Sequence, residues 1–182
     1  DITPPNAQAV TQGELSCNIN TVTLDGTGSS GGGPLAYQWF DPNNNSIGNG
    51  PTTDVGLPGD YTLVVTNVLN GCTAEAVTTV DENNDEPVVV IDLSGILTCA
   101  VTSVTLDGSN STGIGTLTYQ WLDENNNVIS NQISIDVSNP GDYTLIVTDI
   151  DNGCQTDELV TVDENIAAPV ANATVSGPLT CV

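Results

Sequence analysis

Hydrophobic and polar residues alternate along short segments of this chain, and the clearest such segment occurs twice. Residues 58–66 have the sequence PGDYTLVVT, and residues 140–148 have the sequence PGDYTLIVT. A hydrophobic period of two predicts a β-strand with one face on a core. An Asn-Gly pair follows each segment, at residues 70–71 and 152–153, and Asn-Gly favours a tight turn. Each segment therefore predicts one arm of a β-hairpin.

The whole chain repeats with the same spacing as these two hairpins. Cys17 and Cys99 are 82 positions apart, and the same offset relates Trp39 to Trp121. Self-similarity at a fixed period indicates an array of like modules. We expect a slice of a longer tandem protein, divided into the end of a preceding linker (1–4), repeat 1 (5–83), a linker (84–86), repeat 2 (87–165), and a linker with the start of repeat 3 (166–182).

Each repeat has the pattern of an all-β domain. About seven short strands per repeat, turns every 8–12 residues and the absence of a helical period are typical of an immunoglobulin-type β-sandwich. We expect the first strand to run over residues 5–15 and the last over residues 74–80, or 158–162 in repeat 2. The core is expected to contain the largest side chains of the alternating strands, which are Trp39, Trp121, Tyr61 and Tyr143.

The charge balance excludes several functions. The sequence has no Lys, Arg or His but 23 Asp and Glu residues, which gives a net charge of −23. Without cationic side chains, binding to nucleic acid or anionic lipid is not expected. A catalytic His or Lys base and an Arg oxyanion partner are also absent, so we expect no enzyme. No apolar run reaches the length of about 18 residues that a membrane-spanning helix needs, so membrane insertion is not expected.

Five cysteines at strict spacing, with no His and no C-x-x-C motif, indicate disulfides rather than zinc. Disulfides persist in oxidising compartments, so the chain is expected to be extracellular, either secreted or attached to a cell surface. The absence of Lys and Arg also removes the residues after which trypsin-like proteases cleave.

One continuous pattern resembles a known group of proteins. A cysteine followed by VTLDG, YQW, PGDYTLxVT and NGC resembles the PKD-like and immunoglobulin-like tandem repeats of large bacterial surface proteins, such as gliding-motility adhesins of Bacteroidota. The resemblance implies stacked sandwiches that serve as a structural stalk or filament with reach and stiffness, and the absence of Lys and Arg, which such repeats do not require, adds protease resistance. Neighbouring repeats, and copies of the chain in a filament, would be its partners. The alternative is an adhesin module that binds a glycan or protein ligand through its loops.

The immunoglobulin-like strand order leaves the cysteine pairing open. One pairing joins Cys17 to Cys72 and Cys99 to Cys154, within each repeat. In this topology, however, Cys17 and Cys72 lie at opposite ends of the domain, roughly 17–20 Å apart, whereas bridged Cα atoms lie within about 7 Å. We therefore favour Cys17–Cys154 between repeats. Cys72 would then pair with a preceding repeat, and Cys99 and Cys181 with following ones. Bonds between chains, or free thiols, remain a third alternative.

The linker between the repeats carries the densest acidic cluster. Carboxylate and amide oxygens are ligands of calcium, and the cluster is similar to the calcium-binding linkers of cadherins. The candidate ligands are Asp81, Glu82, Asn83 and Asp85, with Asp149 and Asp151 added from the second hairpin. The alternative is a solvated acidic linker without a bound ion.

Overall fold

The computed structural model describes residues 2–174 and residue 177, and in this part the secondary structure is β-strand without helix. The strands form two sandwiches. The strands of the first sandwich are β1 (Val10–Gln12), β2 (Leu15–Ser16), β3 (Val22–Asp25), β4 (Leu35–Phe40), β5 (Ser46–Gly48), β6 (Thr52–Val55), β7 (Gly59–Asn67), β8 (Thr73–Val80) and β9 (Glu82–Asn83).

The second sandwich repeats this order of strands. Its strands are β10 (Asp92–Leu93), β11 (Leu97–Thr98), β12 (Val104–Asp107), β13 (Leu117–Leu122), β14 (Val128–Ser130), β15 (Ser134–Val137), β16 (Gly141–Asp149), β17 (Gln155–Val162) and β18 (Glu164–Asn165).

The pairing of the strands is that of an immunoglobulin-like fold. In the first sandwich a sheet of order β5-β4-β7-β8 packs on a sheet of order β1-β3-β6, and both sheets are antiparallel. A short parallel pair, β2 with β9, brings the start and the end of the sandwich together. The second sandwich has the same three sheets, formed by β14-β13-β16-β17, β10-β12-β15 and the parallel pair β11-β18. The all-β, immunoglobulin-like fold is therefore confirmed.

The core of each sandwich is built around one tryptophan. Trp39 and Trp121 are both fully buried, and each indole N–H donates to a backbone carbonyl, at 3.2 Å to Gly50 and 3.1 Å to Gln132. A hydrogen bond for the only polar atom of the side chain removes the cost of burying it. Gly26 shows how tightly the first core is packed, because a Cβ there would lie 2.5 Å from Leu63 Cδ2.

Two tyrosines complete the predicted core and fix the corner before the long hairpin strands. Tyr61 Oη donates to Leu57 O at 2.8 Å, and Tyr143 Oη donates to Asn139 O at 3.0 Å. A tyrosine that bonds back to the backbone four residues upstream is the tyrosine corner of immunoglobulin-like sandwiches. Burial of the ring raises the pKa of Tyr61, and the nearby carboxylate of Asp41 raises it further.

The structure corrects two of the predicted strands. The segment predicted as one strand over residues 5–15 is divided into β1 and β2, because Gly13 between them has a φ of +96°. Before this turn β1 pairs with β3, and after it β2 pairs with β9. The last strand of the second sandwich begins at Gln155 rather than at residue 158, because its antiparallel pairing with β16 already begins where Gln155 lies opposite Thr148.

Candidate functional site: a disulfide-bonded joint between the sandwiches

A disulfide joins the first sandwich to the second. Cys17 and Cys154 are bonded with an S–S distance of 2.01 Å and a Cα–Cα distance of 5.0 Å, across a sequence separation of 137 residues. This confirms the pairing between repeats and excludes Cys17–Cys72 and Cys99–Cys154. Cys72 and Cys99 carry free thiols. Cys181 lies outside the residues that the structure describes.

On the side of the first sandwich, a tight turn presents Cys17. Ser16 and Ile19 exchange two backbone hydrogen bonds, of 3.0 and 3.1 Å, so that Cys17 and Asn18 form the tip between β2 and β3. The hydroxyl of Ser16 donates to Asn18 Oδ1 at 2.8 Å, which orients the amide of Asn18. The pairing of β2 with β9 also brings this turn beside Asn83, because Ser16 and Asn83 are partners in that pair.

On the side of the second sandwich, the β16–β17 hairpin presents Cys154. Gly153 occupies the turn with a φ of +75°, and its N–H donates to Asp149 O at 2.8 Å. The N–H of Asp149 in turn donates to Cys154 O at 2.9 Å. The hairpin predicted from the Asn-Gly pair therefore places Cys154 at its end, where only 1% of the residue is exposed.

The side chain of Asn152 connects the hairpin to the linker. Its Nδ2 donates to Asn83 Oδ1 at 3.0 Å and to Asp85 O at 2.9 Å, while its Oδ1 accepts the N–H of Cys154 at 2.9 Å. Asn152 is 2% exposed, so these bonds are shielded from water. The Asn-Gly pattern predicts this residue only as part of a turn, so its bonds to the linker are not evident from the sequence.

Asn18 packs against the same hairpin. A Cβ on Gly153 would lie 2.5 Å from Asn18 Cγ, so a larger residue at 153 would collide with the first sandwich. The joint, as we use the term, consists of residues 16–18, 83–85 and 152–154. One covalent bond, three hydrogen bonds of one buried amide and one close steric contact meet there.

The candidate calcium ligands do not converge on one site. Asp149 Oδ2 accepts the N–H of Gly115 at 2.7 Å, and its Oδ1 accepts the N–H of Asp151 at 3.0 Å. The carboxylates of Asp149 and Asp151 both lie against Gly115, so these two come together. Asn83 and Asp85 instead supply oxygens to Asn152.

The remaining two candidates belong to the strand pairing of the first sandwich. Asp81 O accepts the N–H of Leu15 at 2.9 Å, and Glu82 is the partner of Leu15 in the β2–β9 pair. Among the described residues, no group of three or more Cys, Asp or Glu side chains is arranged to hold a metal ion. Within this part of the chain the candidate carboxylates are therefore not grouped in threes, and calcium binding stays a prediction.

Other carboxylates serve the turns. Asp123 accepts the backbone N–H groups of Asn125 and Asn127, at 2.9 and 2.8 Å, and the side-chain amide of Asn127. The Asn127 amide is the main cause, and the backbone N–H groups a further cause, of a pKa below the usual value of an aspartate. Asp41 makes the equivalent bonds in the first sandwich, and its pKa is lowered in the same way. These acidic residues therefore have a structural role.

Comparison with known proteins places the fold but not a family. No family model and no curated protein matches the sequence. Among solved structures, the chain is similar to three N-terminal domains of the highly immunogenic outer capsid protein of bacteriophage RB49. The TM-score is 0.50 at 18% identity, over 88% of this chain and 59% of that chain.

Two other similar structures are also tandems. Immunoglobulin domains 1–5 of Sidekick-1 match with a TM-score of 0.44 at 12% identity, over 91% of this chain and 40% of that chain. Titin domains Z1Z2, solved in complex with telethonin, match with a TM-score of 0.39 at 13% identity, over 92% and 100%. The chain spans about 59% of the phage structure and 40% of the Sidekick-1 structure. Within the described residues, no helix is long and apolar enough to cross a membrane.

Proposed function

We propose that this chain is a non-enzymatic structural segment of an extracellular stalk or filament on a bacterial surface. The observation that carries the proposal is the disulfide between Cys17 and Cys154, because it joins two successive sandwiches rather than bracing one. A disulfide inside a domain stabilises that domain alone, whereas a bond between domains restricts how they move relative to each other. A disulfide within a domain therefore stabilises the folded state, whereas a disulfide between domains fixes how the domains are arranged.

Three constraints at the joint support stiffness. The disulfide fixes the distance between two turns, and the Asn152 amide fixes the path of the linker through Asn83 and Asp85. The contact of Asn18 with Gly153 resists rotation of the hairpin toward the first sandwich. Domains joined by a linker alone are expected to move relative to one another. These contacts oppose that motion.

The chemistry of the chain supports an exposed, oxidising location. Disulfides form in secreted and cell-surface proteins and are rare in the cytosol. The absence of Lys and Arg from the whole sequence removes every trypsin-type cleavage site. The resemblance to PKD-like repeats of bacterial surface proteins agrees with this location.

Small-angle X-ray scattering under oxidising and reducing conditions tests the stalk. We expect the oxidised chain to give the profile of a single elongated particle. The double variant Cys17→Ser/Cys154→Ser should give a broader distribution of lengths, because only the Asn152 hydrogen bonds and the Asn18 contact then restrain the linker. The variant Cys72→Ser/Cys99→Ser is the matched control, and its profile should equal that of the parent chain. A compact particle, or equal flexibility with and without the bond, would contradict a stiffening role.

A second candidate function, binding of a neutral glycan, is favoured by one surface. An open depression of about 490 Å³ lies on the β14-β13-β16-β17 sheet. The lining contains hydroxyl and amide groups but no carboxylate. The residues that line it are Leu117, Thr118, Tyr119, Gln120, Asn131, Ile146, Thr148 and Gln155. Screening on an array of neutral glycans, with Gln120→Ala as the variant that should lose any signal, tests this candidate. A signal that Gln120→Ala retains would assign binding elsewhere.

Calcium binding stays a separate proposal with its own test. If an ion binds the folded chain, the melting temperature should rise with calcium and fall with a chelator. A monovalent salt of matched ionic strength is the control, since screening of the 23 carboxylates would give the same rise with both salts.

A further inference from the structure

The two free cysteines occupy the same positions in their repeats as the two bonded ones. Cys72 lies 82 positions before Cys154, and Cys99 lies 82 positions after Cys17. We call the end of a sandwich at the position of Cys17 its lower end, and the end at the position of Cys154 its upper end. The joint connects the lower end of the first sandwich to the upper end of the second. Cys72 therefore lies at the upper end of the first sandwich, and Cys99 lies at the lower end of the second.

The upper end of the first sandwich has the geometry of the joint. Gly71 has a φ of +72°, against +75° for Gly153, and Asn70 Oδ1 accepts the N–H of Cys72 at 2.9 Å. Asn70 Nδ2 donates to Thr3 O at 3.0 Å, as Asn152 Nδ2 donates to Asp85 O.

The N-terminal segment follows the path of the linker at this end. Thr3 lies 82 positions before Asp85. The sulfur of Cys72 lies 3.4 Å from Ile2 O. Residues 2 and 3 therefore occupy the position that residues 84 and 85 occupy in the joint, so that this end already has its linker in place.

The lower end of the second sandwich provides the complementary half. The N–H of Thr98 donates to Val101 O at 2.9 Å, as that of Ser16 donates to Ile19 O, and the N–H of Val101 donates to Thr98 Oγ1 at 2.9 Å where Ile19 bonds the backbone of Ser16. The pair β11–β18 sets Thr98 beside Asn165, as β2–β9 sets Ser16 beside Asn83. An amide oxygen and a thiol are thus available in the positions of Asn83 and Cys17.

Residues at both ends are less buried than their equivalents in the joint, and the difference is clearest at the upper end. Asn152 and Cys154 are 2% and 1% exposed in the joint, whereas the equivalent Asn70 and Cys72 are only half-buried. At the lower end, Ser16 is buried and the equivalent Thr98 is half-buried, while Cys17 and Cys99 are both exposed. The groups that hold the joint together are therefore in position at both ends without the opposing sandwich.

We propose that Cys72 and Cys99 are half-joints, each of which binds and becomes disulfide-bonded to another immunoglobulin-like repeat of this 82-residue type in the same tandem polypeptide. Cys72 would take the lower end of a repeat on its N-terminal side, and Cys99 the upper end of a repeat on its C-terminal side. The inference rests on the proposed stalk function and extends it, since every pair of neighbours would then be covalently joined. Placement of the partner in the same polypeptide follows from the linker path that residues 2 and 3 occupy.

Formation of each bond is an oxidation. The two thiols lose two protons and two electrons, and a disulfide of a small thiol such as oxidised glutathione accepts them and becomes two thiols. The same small-thiol couple serves as the redox buffer of the test.

The test uses a chain with one additional repeat. Residues 83–164 are duplicated directly after Glu164, so that the added linker and hairpin are those of the joint already described. The chain is refolded in a glutathione redox buffer and digested, without reduction, by a protease that cleaves at acidic residues. We expect Cys99 bonded to the duplicated Cys154, Cys17 bonded to the original Cys154, and Cys72 still open to alkylation. The variant Cys99→Ser is the matched control and should lose only the new bond.

The outcomes separate this inference from the stalk itself. A free Cys99 in a chain whose scattering profile shows three elongated, folded repeats would overturn the half-joint while leaving the stalk intact. Ladders of the parent chain joined through Cys72 and Cys99 would place the partner in a second copy and refute the assignment to the same polypeptide. A compact three-repeat particle would refute the stalk as well.

Discussion

The joint has a mechanical consequence that can be measured by pulling on the two ends of the chain. With the Cys17–Cys154 bond intact, the covalent path from the N-terminus runs to Cys17, crosses the disulfide, and continues from Cys154. Residues 18–153 form a closed loop that tension cannot extend. The strands that carry force are therefore β1 and β2 on one side and β17 and β18 on the other, and most of both sandwiches is bypassed.

The length withheld from extension follows from the size of the loop. The 137-residue separation encloses 136 residues. At about 3.3–3.6 Å per extended residue, the loop withholds roughly 450–490 Å of contour length. Reduction of a single bond should release all of this length, which exceeds what the segments outside the loop can supply.

Single-molecule force spectroscopy with handles at both termini measures this difference. The variant Cys72→Ser/Cys99→Ser/Cys181→Ser removes the other thiols, so that only the Cys17–Cys154 bond can form. We expect the total contour length in reductant to exceed that without reductant by roughly 450–490 Å. An additional Cys17→Ser change should give the longer length under both conditions. Full extension of the oxidised chain, or a release far from this value, would refute the proposed force path.

Three further predictions concern single side chains. Tyr61→Phe removes the hydrogen bond at the corner, so the free energy of unfolding in urea should fall by about 1 kcal/mol. In the parent chain, burial raises the pKa of Tyr61 above the usual 10.0, so its tyrosinate absorbance should appear at a higher pH than that of a free tyrosine. The pKa of Asp123 is lowered by Asn127, so its contribution to stability is present above about pH 4 and is lost as the pH falls through the lowered pKa; Asp123→Asn should therefore weaken the dependence of the melting temperature on pH below 4. Asn152→Ala should cost about 1–3 kcal/mol, because it leaves buried partners unpaired, and the half-exposed Asn70→Ala should cost less in the same urea titration.

The parts of the fold that the sequence predicted are those set by local patterns. A period of two identified the strands around Tyr61 and Tyr143, and Asn-Gly identified the hairpin turns, because both signals depend on a few adjacent residues. The burial of the two tryptophans followed from their place on alternating strands. The division of the first strand was not predicted, since Gly13 marks it only through a backbone conformation that becomes necessary once β2 pairs with β9.

One part of the joint, the cysteine pairing, was predicted from the strand order rather than from a local pattern. The pairing of Cys17 with Cys154 followed from the strand order, which puts one cysteine at each facing end of two stacked sandwiches. The role of Asn152 had no such signal, because one of its acceptors is the backbone carbonyl of Asp85, which any residue at that position would provide. The acidic residues of the linker suggested calcium by composition alone, and composition does not specify whether the carboxylates face one another.

The composition of the chain also explains why the joint is made as it is. A protein without Lys, Arg or His cannot hold two domains together by ion pairs between side chains, and its 23 carboxylates repel one another. The contacts of the joint avoid this problem, because a disulfide and the neutral amide of Asn152 carry no net charge. Salt screens the repulsion between carboxylates but does not weaken a covalent bond or a buried neutral hydrogen bond. The repulsion therefore acts to keep the sandwiches apart along the chain, while the joint fixes how closely they approach. Because salt weakens the repulsion but not the joint, we expect the joint to keep the segment extended over a wide range of salt concentration.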